Sequence, residues 1–210
     1  MEFRDKCYKR IHPEKKGIRV FGVAESFKKN STFSTLGGVV LRRDMLVDGV
    51  VLGRALVGGD DATEQIISMF RKLDRNDVNC IMINGLIISL YNIVAGEKIL
   101  EKTGIPVIGV TYQDSPGIES RFFDNFTKSE AEKRVEAYRK LGKREHIILK
   151  TGMTIYVRSW GISPTKTLHI LNSFIIQGKI PEPLRIARIV SRAARTFPVE
   201  LDAVTNQHRL

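Results

Sequence analysis

The chain has 210 residues, 42% apolar and 27% charged, which suits one folded domain with a sizeable core and excludes a disordered chain. Its 34 basic residues outnumber 23 acidic ones, a formal charge of +11 that makes polyanions, nucleic acid first among them, the partners to consider. A Lys/Arg-rich surface that serves only solubility has the same composition.

The longest apolar run, between Cys80 and Val94, is interrupted by Asn84, Ser89 and Asn92 and is too short for a bilayer. No charged segment leads into an apolar one at the start, so neither a membrane span nor a signal peptide is expected, and a cytoplasmic location follows by default. Cys7 and Cys80 have neither metal-ligand spacing nor the pattern of a disulfide framework; Cys80 reads as a buried thiol.

In chain order, residues 1–17 are polar and basic and read as an N-terminal arm, with residues 18–210 as one domain. Ile18 to Val23, Phe33 to Leu41 and Met45 to Val57 read as three strands of an antiparallel meander, the third twisted or bulged near Gly49 and Gly53. Asp61 with Glu64 three residues later looks like a helix start, and Ile66, Ile67, Phe70 and Leu73 keep helical spacing. Cys80 to Ile83 predicts a buried strand, Leu90 to Thr103 a helix stopped by Gly104, and Pro106 to Val110 another buried strand. The order is β-β-β-α-β-α-β, a mixed sheet with helices packed on it. Further on, Thr127 and Glu130 open a charged helix that stops at Gly142. Met153 to Trp160 reads as an edge strand, Ser163-Pro164 starts a helix that Gly178 ends, and Pro183 to Arg195 forms a last helix.

That order is the core order of ribonuclease-H-like folds. Arg19-Val-Phe-Gly-Val, Gly58-Gly-Asp-Asp-Ala-Thr, Ile81-Met-Ile-Asn-Gly, Gly104-Ile-Pro-Val-Ile-Gly-Val and Ile180-Pro-Glu-Pro-Leu-Arg-Ile-Ala occur in sequence. Together they resemble the uncharacterised archaeal family called domain of unknown function ninety-nine, over roughly residues 18–198. That family is similar in turn to endonuclease V, which cuts the phosphodiester backbone near a deaminated base with carboxylates that hold divalent metal.

The resemblance implies a mixed α/β domain with a C-terminal helical extension, and a metal site at the ends of the first and fourth strands and the start of the first helix. Mg²⁺ or Mn²⁺ is the cofactor such a site would take, because hard cations seek oxygen ligands. The sequence departs from the pattern. Where the family resemblance expects an aspartate after Gly22-Val23 stands Ala24, with Glu25 one place later. Where it expects aspartate before Gly85 stands Asn84. Neighbours on a strand face opposite ways, so Glu25 replaces the lost group only at a bulge or a strand end.

Glu25, Asp61 and Asn84 are thus the candidate catalytic residues, with Glu25 and Asp61 the candidate metal ligands and Asp60 or Glu64 as alternatives to Asp61 at the helix start. Each has an ordinary alternative: Glu25 as an exposed strand-end charge, Asp61 as a helix cap, Asn84 as a turn residue. The proline- and tyrosine-rich wedge that endonuclease V carries before the first helix has no counterpart in residues 55–59. Restoring both aspartates, Ala24→Asp with Asn84→Asp, is expected to raise divalent-metal affinity.

On the last helix Arg185, Arg188, Arg192 and Arg195 fall within an arc of roughly 80° at 100° per residue, a ridge suited to tracking phosphates or simply a solvated face. The readings in play are a DNA- or RNA-binding protein with a degenerate metal site, a Mg²⁺-dependent endonuclease, and a scaffold that keeps only the fold. The sequence does not specify the oligomeric state.

Overall fold

The computed structural model describes residues 8–28 and 30–197. Its centre is a seven-stranded mixed sheet in the order β3-β2-β1-β4-β7-β9-β8. The strands are β1 (Arg19–Ser26), β2 (Phe33–Arg42), β3 (Val47–Leu56), β4 (Cys80–Asn84), β7 (Val107–Thr111), β8 (Glu145–Ile148) and β9 (Thr154–Trp160); β5 (Ile87–Ile88) and β6 (Asn92–Ile93) form a separate short hairpin. The helices are α1 (Ala62–Lys72), α2 (Gly96–Thr103), α3 (Glu119–Asn125), α4 (Lys128–Lys140), α5 (Pro164–Ser173) and α6 (Glu182–Thr196). None of them is long and apolar enough to cross a membrane.

The ribonuclease-H-like fold class is observed. β1, β2 and β3 form the antiparallel meander, and β1 runs parallel to β4, which runs parallel to β7. Because β1, β3 and β4 all run the same way, Glu25, Asp61 and Asn84 lie toward one end of the sheet, where these strands finish. Alternation divides the buried strands between two cores. Phe21, Val23, Ile81 and Ile83 join α1 and α2 on one face; Val20, Cys80 and Met82 join α5 and the first turn of α6 on the other. Burial pushes the Cys80 thiol well up, so it is an inert core residue.

Several elements differ from the sequence reading. β1 extends through Ser26 and stays regularly paired with β2 there, Ala24 with Gly37 and Glu25 with Leu36, so no bulge redirects Glu25. The bulge expected near Gly49 is present between β2 and β3, where Val40 pairs with Gly49 and Leu41 with Val47. The helix expected over Leu90 to Thr103 begins only at Gly96, because Ser89, Leu90 and Tyr91 adopt φ of 46°, 57° and 70°. Left-handed residues cannot sit in a right-handed helix, and for side chains other than glycine each costs of order 1–3 kcal/mol. The strand expected at the edge, β9, lies between β7 and β8, and the unforeseen β8 takes the edge. Of the arm, residues 1–7 lie outside the described residues. Residues 8–17 dock on the domain: Ile11 is buried, Lys9 N donates to Gly104 O, and Lys166 Nζ donates to Ile11 O.

The placement of α6 fixes the site. It lies on β1 and β2 so closely that a Cβ on Gly22 would sit 2.6 Å from the Pro183 backbone, and one on Gly37 2.5 Å from Ala187 O and 2.7 Å from Ser191 N. Backbone cannot give way as a side-chain tip does. Gly37→Ala is therefore expected to cost about 1–3 kcal/mol of stability by overpacking, read as a lowered midpoint in denaturant unfolding. An unchanged midpoint would show that the α6 contact is looser than described.

Candidate functional site

At the C-terminal ends of β1 and β4 the two faces of the sheet carry different groups. Val23 pairs with Ile83, so Ala24 and Asn84 follow side by side and, by alternation, on the face that α6 covers. Ala24 is 3% exposed and packs against Val39 and Ala187. The Asn84 Oδ1 atom is buried and has no hydrogen-bond partner. One strand further, the Tyr112 hydroxyl is also buried and unpartnered. Burial raises its pKa, and the nearby positive charge of Arg188 pulls in the opposite direction.

Glu25 points to the other face. Its Oε2 accepts three hydrogen bonds, from Ser34 Oγ at 3.0 Å, Ser89 N at 2.7 Å and Ser89 Oγ at 2.6 Å. Both serines are fully buried. Asp61 stands at the start of α1, but its side chain makes no cap hydrogen bond. Its carboxylate instead accepts from Leu56 N at 3.0 and 3.2 Å and from Asn92 Nδ2 at 2.8 Å. Asn92 Oδ1 then accepts from Ala62 N at 3.1 Å, so a buried asparagine takes over the capping expected of Asp61. Glu64 is paired with Lys98 at 2.6 Å, which holds its carboxyl below the usual range.

These groups do not fit a pair of divalent ions. A metal pair needs carboxylate oxygens converging on one point. Here one carboxylate has three donors on a single oxygen, the second is held by backbone and amide donors, and the orphan acceptor on the opposite face is a neutral amide. Among the described residues no group of three or more His, Cys, Asp or Glu side chains is placed to hold a metal.

The arginines of α6 divide. Arg185 is turned to its own helix, with Nε 2.7 Å from the Glu182 carboxylate. Arg195 donates from Nη1 to Phe27 O at 2.9 Å, while its Nε is buried without a partner. Arg188 and Arg192 make no ion pair, and their guanidinium groups no hydrogen bond, among the described residues. Arg188, Arg192 and Arg195 line a polar cleft of about 590 Å³ together with Glu25, Ser26 and Phe27. The ridge read from the sequence therefore supplies three residues to the cleft, and the fourth serves the helix itself. Sequence reasoning missed Ser34, Ser89 and Tyr112. Ser89 had one signal, as a polar residue inside an apolar run.

The family model described as endonuclease dU matches residues 16–195. The chain belongs to the endonuclease dU family. A UPF0215 protein of Pyrobaculum calidifontis is 38% identical over 175 residues, 83% of this chain and 96% of that relative. A UPF0215 protein of Methanosarcina mazei is 31% identical over 183 residues, 86% of this chain and 91% of the relative. The crystal structure of a protein of unknown function from Archaeoglobus fulgidus superposes with a TM-score of 0.72 at 26% identity, covering 84% of this chain and 98% of that one. Endonuclease V from Ciona intestinalis, solved with DNA containing an inosine, superposes with a TM-score of 0.54 at 19% identity over 90% of this chain and 87% of that one, a likeness of fold.

Placed under α6, Ala24 gives a family member no room for the aspartate that the endonuclease V resemblance expects. The expectation that Ala24→Asp with Asn84→Asp raises metal affinity is revised accordingly. Ala24→Asp should bury an unpaired carboxylate against Val39 and Ala187 and cost about 3 kcal/mol or more of stability, measured by chemical unfolding, without a gain in Mg²⁺ heat by calorimetry. A variant as stable as the parent that binds Mg²⁺ would show that α6 yields and the ligand site is recoverable.

Proposed function

We propose that the protein binds the backbone of nucleic acid along the cleft between the end of β1 and α6, and that its strand-end groups no longer hold the metal pair used for phosphodiester cleavage. The observation that carries this reading is the state of Arg188 and Arg192. Both line the cleft, and among the described residues neither makes an ion pair. Three arginines and one acidic residue, Glu25, line the cleft, and the Glu25 carboxylate is held by buried serine donors on the other face of the sheet. Guanidinium groups match phosphate oxygens in a forked geometry and are weakly hydrated, so they suit backbone contacts. The net charge of +11 adds long-range attraction without sequence preference.

Binding of short single- and double-stranded oligonucleotides, followed by anisotropy over a salt series, tests this. Affinity should fall steeply with salt, and replacing Arg188 and Arg192 with alanine should weaken all sequences alike and flatten the log–log slope by about 2. An absence of binding at low salt would leave only the scaffold reading.

The family match itself favours a second reading, a Mg²⁺- or Mn²⁺-dependent endonuclease acting on DNA or RNA. Its test is cleavage of oligonucleotides that carry deoxyuridine or deoxyinosine. Little or no metal-dependent cleavage is expected. Turnover near one per second, typical of enzymes, that Glu25→Gln abolishes in a folded protein would establish the endonuclease and overturn the proposal.

A further inference from the structure

We infer that the protein forms a two-fold symmetric dimer by pairing the outer edge of β3 with β3 of a second copy, so that two seven-stranded sheets join into one. The inference does not depend on the nucleic-acid reading above and assigns a partner to a surface which that reading leaves unused.

β3 is one edge of the sheet, and its strand partner is β2 alone. Along an antiparallel edge strand the backbone groups point alternately toward the neighbour and outward. Val57 N donates to Thr32 O at 3.0 Å, so the odd-numbered residues beyond the bulge turn toward β2. Leu56 turns outward, where its N–H donates to Asp61 and its carbonyl accepts from Asn92. At the other end Asp48 O accepts from Arg75 Nη1 at 2.6 Å. Between these two closed ends lie Val50, Leu52 and Arg54, whose outward N–H and C=O groups make no hydrogen bond among the described residues. Such an edge templates a further strand, and folded proteins guard it with short length, charge or proline. The opposite edge is guarded in this way: β8 has four residues, with Glu145 and His146 exposed on it. The free stretch of β3 has no proline, and its single charge, Arg54, lies over the Phe33 ring at 4.8 Å.

The side chains and the symmetry of the free stretch name the partner. Gly53 faces Met69 of α1 and Val51 packs against the same core, so Val50, Leu52 and Arg54 lie on the α6 side of the sheet. There α6 rests on Gly37 and Val39, the β2 partners of Leu52 and Val50, and leaves the β3 side chains uncovered. Val47, Val50, Leu52, Leu56 and Phe33 form an apolar strip beside the helix, each 39% to 52% exposed. The open residues are symmetric about Leu52, with the closed ends Asp48 and Leu56 equally far to either side. A two-fold axis through Leu52 therefore sets Leu52 against its own copy and Val50 against Arg54. It satisfies the open N–H and C=O groups of both chains while the closed ends meet each other. A slip of two residues would face an open residue with a closed end, so one register is selected. This self-complementarity favours a second copy over an unrelated strand. A strip this narrow falls below the roughly 1,200 Å² of the standard interface, so the dimer should be reversible. Two copies that each carry +11 repel one another, so added salt should strengthen the dimer.

Sedimentation velocity of the full chain across the micromolar range, at low and high salt, tests this. The weight-average mass should climb toward twice that of the monomer, and at lower protein concentration when salt is high. Leu52→Lys puts two like charges on the axis at a half-exposed position, so it should stay monomeric with a melting temperature near the parent's. A cross-link reads the register separately. Directly opposed residues of a hydrogen-bonded pair have Cα atoms about 5.5 Å apart, within reach of a disulfide. In a Cys7→Ser background, Leu52→Cys should therefore join two chains when oxidised glutathione is the oxidant, and Val47→Cys, far from the axis, should not. A monomer at every concentration and salt overturns the inference. So does a dimer that Leu52→Lys leaves intact, or cross-linking that is equal at the two positions, since each puts the contact elsewhere. If Leu52→Lys fails to fold, the comparison of the two cysteine variants decides.

Discussion

The contact between α6 and the first two strands decides what the sheet edge can hold. Gly22 and Gly37 have no side chain where Pro183, Ala187 and Ser191 press down, so the helix settles at backbone distance. Two consequences follow from that one approach. The face bearing Ala24 is sealed with small apolar groups, leaving no space for a solvated ligand cluster. The later turns of α6 are also carried past the end of β1, where Arg195 reaches Phe27 O and Arg188 and Arg192 border the cleft. A bulkier pair of residues in place of the glycines would lift the helix and move its cationic face away from the strand ends.

The second organising feature is the way buried donors neutralise the remaining acidic groups. A carboxylate left alone in a half-buried position is costly, and it either finds hydrogen bonds or takes up a proton. Glu25 finds Ser34 and Ser89, and Asp61 finds the Leu56 amide and Asn92. Of these donors, Ser89 and Asn92 belong to the β5–β6 hairpin, Leu56 ends β3 and Ser34 lies in β2. The hairpin has only two residues in each strand, too little to fix its own shape. The carboxylates thus substitute for the sheet contacts that the hairpin lacks, and the loop conformation depends on charges supplied from two separate places in the chain.

Much of the fold was legible because its signals are local. Apolar runs bounded by turns mark β1, β2, β4 and β7, and the Thr127–Glu130 pair marks α4, where the Glu130 carboxylate accepts from the Thr127 amide and hydroxyl as expected. What escaped was set by distant contacts. The stretch from Leu90 has helical spacing, yet Glu25, Asp61 and the Phe122 and Phe126 rings hold its first residues left-handed. The region of the candidate site was legible from chain order, since parallel strands end together. The direction of each side chain was not, because it turns on whether β1 bulges at Ala24, and only the continuous pairing with β2 answers that. The division of the arginine ridge was equally hidden. Whether an arginine serves its own helix or a cleft depends on Glu182 and Phe27, and helical periodicity reports neither.

A site that draws in divalent cations and a site that draws in phosphate need opposite local fields. Converging carboxylates create a negative well that a cation fills, and only then does the phosphate follow, held by the metal. With Ala24 at the end of β1 and the amide Asn84 at the end of β4, these two positions supply no charge to such a well. Phosphate then has to be attracted by the protein's own charge. On the proposed reading the guanidinium groups of α6 meet that requirement, and the unpaired Asn84 and Tyr112 oxygens bring no full charge to offset it. On that reading, cationic lining and absent carboxylates are one coherent change in the field at the strand ends, away from the cation-binding site that the endonuclease V resemblance implies. The glycine contact that sets α6 down on β1 and β2 places both parts of that change at the same spot.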